Sequence, residues 1–212
     1  MINKIEELLN IDKFRKNNSK LKLEEQLDLI DPLLDFDFIA DKNSNNSYLL
    51  DYLPLKALDF NKYKHLEICY DFVLSNKISL KKFTDCEDKI KNFLEKLWVA
   101  NHLFIYTDLR YIECTKRIIK VLNDKEIKIF KEFYNKIKME DKLFYILDDY
   151  ELLNIIIKLS TRELIFSLLY FKEVKSVFWF DNLVLPCYLN ESSIDLIEKI
   201  STTEGLYLRK KD

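Results

Sequence analysis

The chain has 212 residues, with 34 Lys+Arg against 36 Asp+Glu, 48% apolar and 14% aromatic residues, and a single glycine. That apolar share excludes intrinsic disorder, which pairs low hydrophobicity with high net charge, and a formal net charge of -2 gives no global field for polyanions. One glycine excludes the P-loop and the dinucleotide fingerprint, which need several for left-handed turns and close backbone approach to phosphate.

The early chain reads as helix. Residues 2–17 and 20–31 form two amphipathic segments, the second carrying Leu23, Leu27 and Ile30 until Pro32 interrupts it. Residues 42–47, KNSNNS, are the most loop-like stretch. Tyr63, Leu66, Tyr70 and Val73 then mark one face of a helix over 61–75. Thr84 with Glu87 has capping-box spacing and opens a helix to about 106, with Ile90, Phe93, Leu94, Leu97 and Trp98 on one stripe. A helix over 109–122 follows, with Tyr111, Cys114, Ile118, Val121 and Leu122. Asn123 with Glu126 starts another to about 139, turning Ile127, Phe130, Tyr134 and Ile137 inward, and residues 142–159 are helical again.

After residue 160 the character shifts. Ser160 with Glu163 has capping-box spacing, yet LIFSLLYF (164–171) is aromatic enough for a strand, so 161–171 stays open between the two. VKSVFWFD (174–181) and LVLPCYL (183–189) form a hairpin around Asp181-Asn182, with Pro186 at an edge or bulge. Ser192 or Ser193 caps a helix carrying Ile194, Ile197 and Ile200. Gly205 stops that helix in the left-handed region, and LYLRK (206–210) is a final strand.

The predicted fold is therefore α+β and predominantly α. A helical body over about residues 2–160 carries a small C-terminal antiparallel sheet and one helix over 161–212, in a single domain. No internal repeat is present. A chain of this length buries roughly 70% of its unfolded surface and needs no disulfide or metal staple. Cys69, Cys86, Cys114 and Cys187 show no C-x-x-C pairing, MINKIEELLN lacks an apolar core for export, and no stretch is long and apolar enough to span a bilayer. The expectation is a cytoplasmic protein with reduced thiols and no membrane partner.

Catalytic and metal-binding patterns are thin. His65-x-Glu67-x-Cys69 puts a histidine and a thiol one helical turn apart, but no second pair completes a zinc site. His65 and His102 are the two imidazoles, and one glycine at 205 leaves no nucleophile elbow. Asp35-Phe36-Asp37 and Asp148-Asp149 read as solvated carboxylates, and the EF-hand glycine is missing. No metal and no cofactor is expected.

One asymmetry is sustained. Residues 28–41, DLIDPLLDFDFIAD, hold Asp28, Asp31, Asp35, Asp37 and Asp41 without a basic residue, and Asp51 follows. Residues 1–60 carry 8 basic and 12 acidic side chains, net -4, and residues 61–120 carry 12 and 8, net +4. The aspartates alternate with Leu33, Leu34, Phe36, Phe38 and Ile39, a combination that steers a cationic partner in and then holds it. Arg110, Lys116, Arg117, Lys120, Lys125, Lys128, Lys131, Lys136, Lys138 and Lys142 form the basic counterpart, interleaved with Tyr111, Phe130, Phe133 and Tyr134. Glu113, Glu126, Glu132 and Glu140 break up that field, so nucleic acid is not the expected partner.

The preferred reading is a non-enzymatic protein-binding protein. In general character, though on no motif, the chain resembles the immunity proteins of bacterial polymorphic toxin systems. Those are small and rich in Lys, Asn and Asp, and use acidic surfaces to block basic toxin domains. The resemblance implies that Asp28, Asp31, Asp35, Asp37, Asp41 and Asp51 mimic a toxin's phosphate substrate, with Phe36 and Phe38 as anchors. A wedge near Trp179 and Tyr188 is a second candidate surface. One alternative is a hydrolase with a motif-less Cys/His or carboxylate site, which predicts a pocket holding a shifted pKa. The other is a nucleic-acid-associated regulator using the 110–142 face, with strongly salt-dependent affinity.

Overall fold

The computed structural model describes residues 1–6, 23–56, 77–113, 116–140, 142–180 and 182–211, without the side chains of 23–27, 29, 77 and 78. Residues 2–6 are helical. Helices α1 (Leu23–Leu34) and α2 (Phe36–Lys42) lead into strand β1 (Ser47–Asp51), then helix α3 (Lys77–Val99) and strand β2 (Leu103–Thr107). Helices α4 (Lys116–Val121) and α5 (Asp124–Met139) precede the two-residue strand β3 (Tyr145–Ile146) and helix α6 (Tyr150–Thr161). The chain ends with strands β4 (Ser167–Phe171), β5 (Ser176–Phe180) and β6 (Leu185–Tyr188), helix α7 (Ile194–Thr203) and strand β7 (Tyr207–Lys210).

Among the described residues, seven strands join one sheet in the order β3-β2-β4-β5-β6-β1-β7, and every neighbouring pair is antiparallel. This overturns the predicted helical body with a small C-terminal sheet. The sheet is the organising layer, and three of its strands, β1, β2 and β3, come from the stretch read as helical. Two short strands of the C-terminal region, β4 and β5, form its centre.

Side-chain alternation explains how the sheet hides among helices. In β4 and β5, Leu169, Phe171, Phe178 and Phe180 point to one face and Leu168, Tyr170, Val177 and Trp179 to the other. The first face packs on Phe83, Phe93, Leu94 and Leu97 of α3, Phe130 and Ile137 of α5, Leu153 and Ile157 of α6 and Ile197 of α7. The second packs on Ile2, Ile5, Ile30 and Leu33, and on Phe36, Ile39 and Ala40 of α2. A strand covered on both faces loses the apolar–polar alternation that would reveal it, and reads as a continuous apolar run.

The local signals divide. The α5 capping box is present: Glu126 N–H donates to Asn123 Oδ1 at 3.0 Å, and Asn123 N–H to Glu126 Oε2 at 2.8 Å. Thr84 caps nothing, because α3 already starts at Lys77; its hydroxyl donates to the carbonyls of Leu80 and Lys81 within the helix. That helix stops at Val99, where the Asn101 side-chain amide donates to the Leu97 carbonyl at 2.7 Å and releases the chain into β2. Among the described residues of 109–122, α-helix is confined to α4, and a 3₁₀ turn lies at Asp108–Arg110. Over 142–159, α6 begins only at Tyr150, with Asp149 accepting from Leu152 N–H at 2.9 Å. Ser160 lies inside α6, its hydroxyl 3.1 Å from that of Ser167, so the open segment 161–171 resolves into a helix end, a turn and β4. Asn190, not Ser192 or Ser193, caps the turn into α7 by accepting from Ser192 N–H. Gly205 takes φ 68°, as its place after α7 required.

Candidate functional site

Asp35 divides the acidic stretch. Its backbone is extended and its carboxylate accepts from Phe38 N–H at 3.1 Å, so α1 ends at Leu34 and α2 begins at Phe36. Pro32 does not end α1, which runs two residues past it. Leu33, Phe36 and Ile39 face the sheet. The Phe36 ring lies 5.1 Å from that of Trp179, whose indole N–H donates to the Leu33 carbonyl at 3.0 Å. With the apolar residues inward, Asp28, Asp31, Asp37 and Asp41 are exposed. Spacings of three and four residues put Asp28 with Asp31, and Asp37 with Asp41, on common helix faces.

Two residues leave the predicted patch. Phe36 belongs to the core, and Asp51 is 4% exposed, ion-paired to Arg209 and accepting from Leu53 N–H at 3.0 Å. Asp35 is exposed but spends its carboxylate on the cap. Phe38 remains outward at 41% exposure, with the Lys42 ammonium 3.7 Å from its ring centroid, and Asp37 pairs with Lys211 at 2.9 Å. Among the described residues no wedge separates a helical body from the sheet: Trp179 is buried under α1 and α2, and Tyr188 is half-buried on the same face.

His65, Cys69 and Cys114 lie outside the described residues. His102 is on the surface, with Nδ1 2.5 Å from Glu173 Oε1. Cys86 and Cys187 are buried, and burial pushes both thiols up, away from the reactive thiolate. Among the described residues no three His, Cys, Asp or Glu side chains come together to hold a metal. Asp149 caps α6, and Asp148 is exposed.

Much of the basic stretch is committed to structure. The Arg110 guanidinium donates to the Glu140 and Lys142 carbonyls and to the Tyr145 hydroxyl, tying the end of α5 to the 3₁₀ turn. Lys138 donates to the Arg110 carbonyl, and Lys125 pairs with Glu151 at 2.6 Å. Phe130 and Phe133 are core residues, and the Tyr134 hydroxyl donates to the Ile112 carbonyl. Of the aromatics in this stretch, only Tyr111 has the exposure that base stacking requires.

A further feature has no counterpart in the motifs. Where β2 ends and β4 begins, a cleft of about 370 Å³ is lined by Asp108, Ile112, Glu163, Leu164, Ile165, Phe166 and Asn182. Asp108 N–H donates to the Phe166 carbonyl at 3.3 Å, and Asp108 Oδ1 accepts from Phe166 N–H at 3.0 Å. Burial raises its carboxyl to about 6, against the pull of those backbone amides. Burial likewise takes the neighbouring Tyr106 to about 12, with Tyr111, Asp108 and Asp31 adding to the rise. The residue signal is a single aspartate after an apolar strand, which spacing alone does not distinguish from a turn residue.

No protein family, curated protein or solved structure matches the chain. Among the described residues no helix is long and apolar enough to cross a membrane.

Proposed function

We propose that the chain is a non-enzymatic protein-binding protein of the immunity type, whose α1–α2 face receives a basic surface such as that of a toxin domain. The observation that carries this reading is the outward display of Asp28, Asp31, Asp37 and Asp41 on a helix pair whose apolar side is anchored in the core. Fixed negative charge on a rigid support raises the encounter rate with a cationic surface and orients it, in a manner that salt screens. Phe38 supplies apolar contact beside that charge. The reading no longer draws on Phe36 or Asp51.

The test is the association rate with the chain that co-purifies from the native host. Asp35 is left intact because it caps α2. Charge reversal at Asp28, Asp31 and Asp41 together slows association about tenfold at low ionic strength, and the difference narrows as salt rises. An association rate unmoved by the triple reversal removes the acidic-face mechanism.

A further inference from the structure

The end of α3 and the start of α6 carry apolar groups that the fold leaves outside. Val99, the last residue of α3, is 80% exposed, and Tyr150, the first of α6, is 47% exposed. Ile146 alternates with buried Tyr145 in the edge strand β3 and is 55% exposed. Single exposed apolar residues are ordinary, but these adjoin one another. Trp98 and Val99 form a ridge between two clefts. One, of about 420 Å³, runs to Tyr150, and the other, of about 310 Å³, runs to Ile146 and Leu147.

The ridge is held in place from within. The Trp98 indole N–H donates to the Leu147 carbonyl at 2.8 Å, and the Trp98 ring lies 6.1 Å from that of Tyr150. Fixed aromatic rings with apolar neighbours and a polar rim are the composition of a protein-binding surface. The rim also has a sign. Among the described residues lining the two clefts, Glu95, Asp148 and Glu204 stand against one lysine, Lys96, which is ion-paired to Glu204. Lys91 approaches Glu95 Oε1 only to 3.7 Å and leaves that oxygen without a hydrogen bond. Asp148 is exposed and has no ion-pair partner among the described residues. His102, at the edge of the second cleft, is held by Glu173.

We propose that this ridge docks a segment of a protein partner in which apolar side chains are flanked by Lys or Arg. The apolar groups enter the clefts on either side of Val99, and the cations meet Asp148 and Glu95. Charge decides among occupants. An anionic membrane surface or a nucleic acid meets an excess of its own sign, and a second copy docked through the same face brings that excess twice. A cationic segment gains attraction at the rim and can lay Arg or Lys over the rings of Trp98 and Tyr150. The surface lies on α3 and α6, which cover the sheet face opposite α1 and α2, so this docking is independent of the α1–α2 reading.

The test uses the full ¹⁵N-labelled chain and the acetylated, amidated peptide Arg-Leu-Gly-Leu-Arg, read at the Trp98 indole N–H and the Val99 and Ile146 amides. Those signals shift saturably, and the affinity falls as salt rises. The Phe38 amide reports the α1–α2 face, so binding there is told apart. Arg-Ser-Gly-Ser-Arg and Glu-Leu-Gly-Leu-Glu each bind about tenfold more weakly, the first for want of apolar burial and the second for want of attraction at the rim. Val99→Ser, at an exposed helix end, keeps the fold and weakens binding about fivefold. Asp148→Lys weakens it about fivefold at low ionic strength and less at high salt. Absence of a saturable shift at Trp98, shifts confined to Phe38, or affinity indifferent to either variant overturns the proposal. So does equal binding of propylguanidinium alone, which assigns the clefts to a small cation. Concentration-dependent shifts without peptide assign the ridge to a second copy, and broadening of the same signals by phosphatidylglycerol vesicles assigns it to a membrane; each overturns it too. Failure here leaves the α1–α2 reading standing.

Discussion

Arg162 and Glu87 are 75 residues apart and meet as a fork-to-fork pair, with Thr161 Oγ donating to the same carboxylate at 2.6 Å. Their side chains are 15% and 12% exposed, so the pair is largely removed from water. Removing one partner leaves a carboxylate with no cation in a medium that solvates it poorly. Arg162→Ala is expected to cost about 3 kcal/mol in urea unfolding, and a loss under about 0.5 kcal/mol places the pair among ordinary surface bridges. Glu87 also shows where residue patterns mislead. Three residues after Thr84 it has capping-box spacing, yet the same spacing inside a helix puts it on the face that meets α6. Asp51 is similar: its charge was legible, but its burial depends on Arg209, 158 residues away.

Among the elements, α5 was the most legible, because its signals are local. Asn123, Glu126, Phe130 and Ile137 define a cap and a stripe within a few turns, and the structure keeps all of them. Burial alone raises the Glu126 carboxyl; hydrogen bonds from Lys158 and from the Asn123 amide outweigh it and hold the group below its ordinary range. Glu126 thus serves the cap and ties α5 to α6 through Lys158 at 2.6 and 2.8 Å. Asn123→Ala is expected to cost about 1 kcal/mol, read from the denaturation midpoint. Because the Glu126 pKa is depressed, its stabilising part is present above the unfolded pKa and is lost as pH falls through the folded one. The strands were less legible. β1 and β2 have five residues each and β3 has two, too few to show a period of their own beside an apolar helix stripe. LFIYT of β2 follows the Leu97 and Trp98 stripe of α3 so closely that one helix to residue 106 accounted for both.

At the scale of the whole molecule, helices cover both faces of the sheet, and Trp179 joins the α1–α2 layer to it. Its ring meets Phe36, and its N–H satisfies the Leu33 carbonyl at the end of α1. Trp179→Ala is expected to cost about 3–5 kcal/mol. The damage is local first: hydrogen exchange at Phe38 and Ile39 accelerates before exchange in β4 does. Uniform acceleration across both layers shows instead that the α1–α2 layer does not open separately. The same residue governs the proposed binding face, since the orientation of Asp37 and Phe38 follows from Phe36 being seated on Trp179.

The amino-acid order by itself determined the helix of 124–139, the strand pair of 176–188, the glycine stop at 205 and the acidic character of 28–41, because caps, periods and runs act over one or two turns of backbone. Only the tertiary structure decided that seven strands share one sheet, that Phe36 is core while Phe38 is surface, that Asp51 is neutralised by Arg209, and that Asp108 lines a cleft where its charge is disfavoured. Each of those outcomes depends on a partner far along the chain: β1 pairs with β6 and β7 across more than half the sequence, and burial is conferred by what packs on a residue. Local patterning carries no record of that partner.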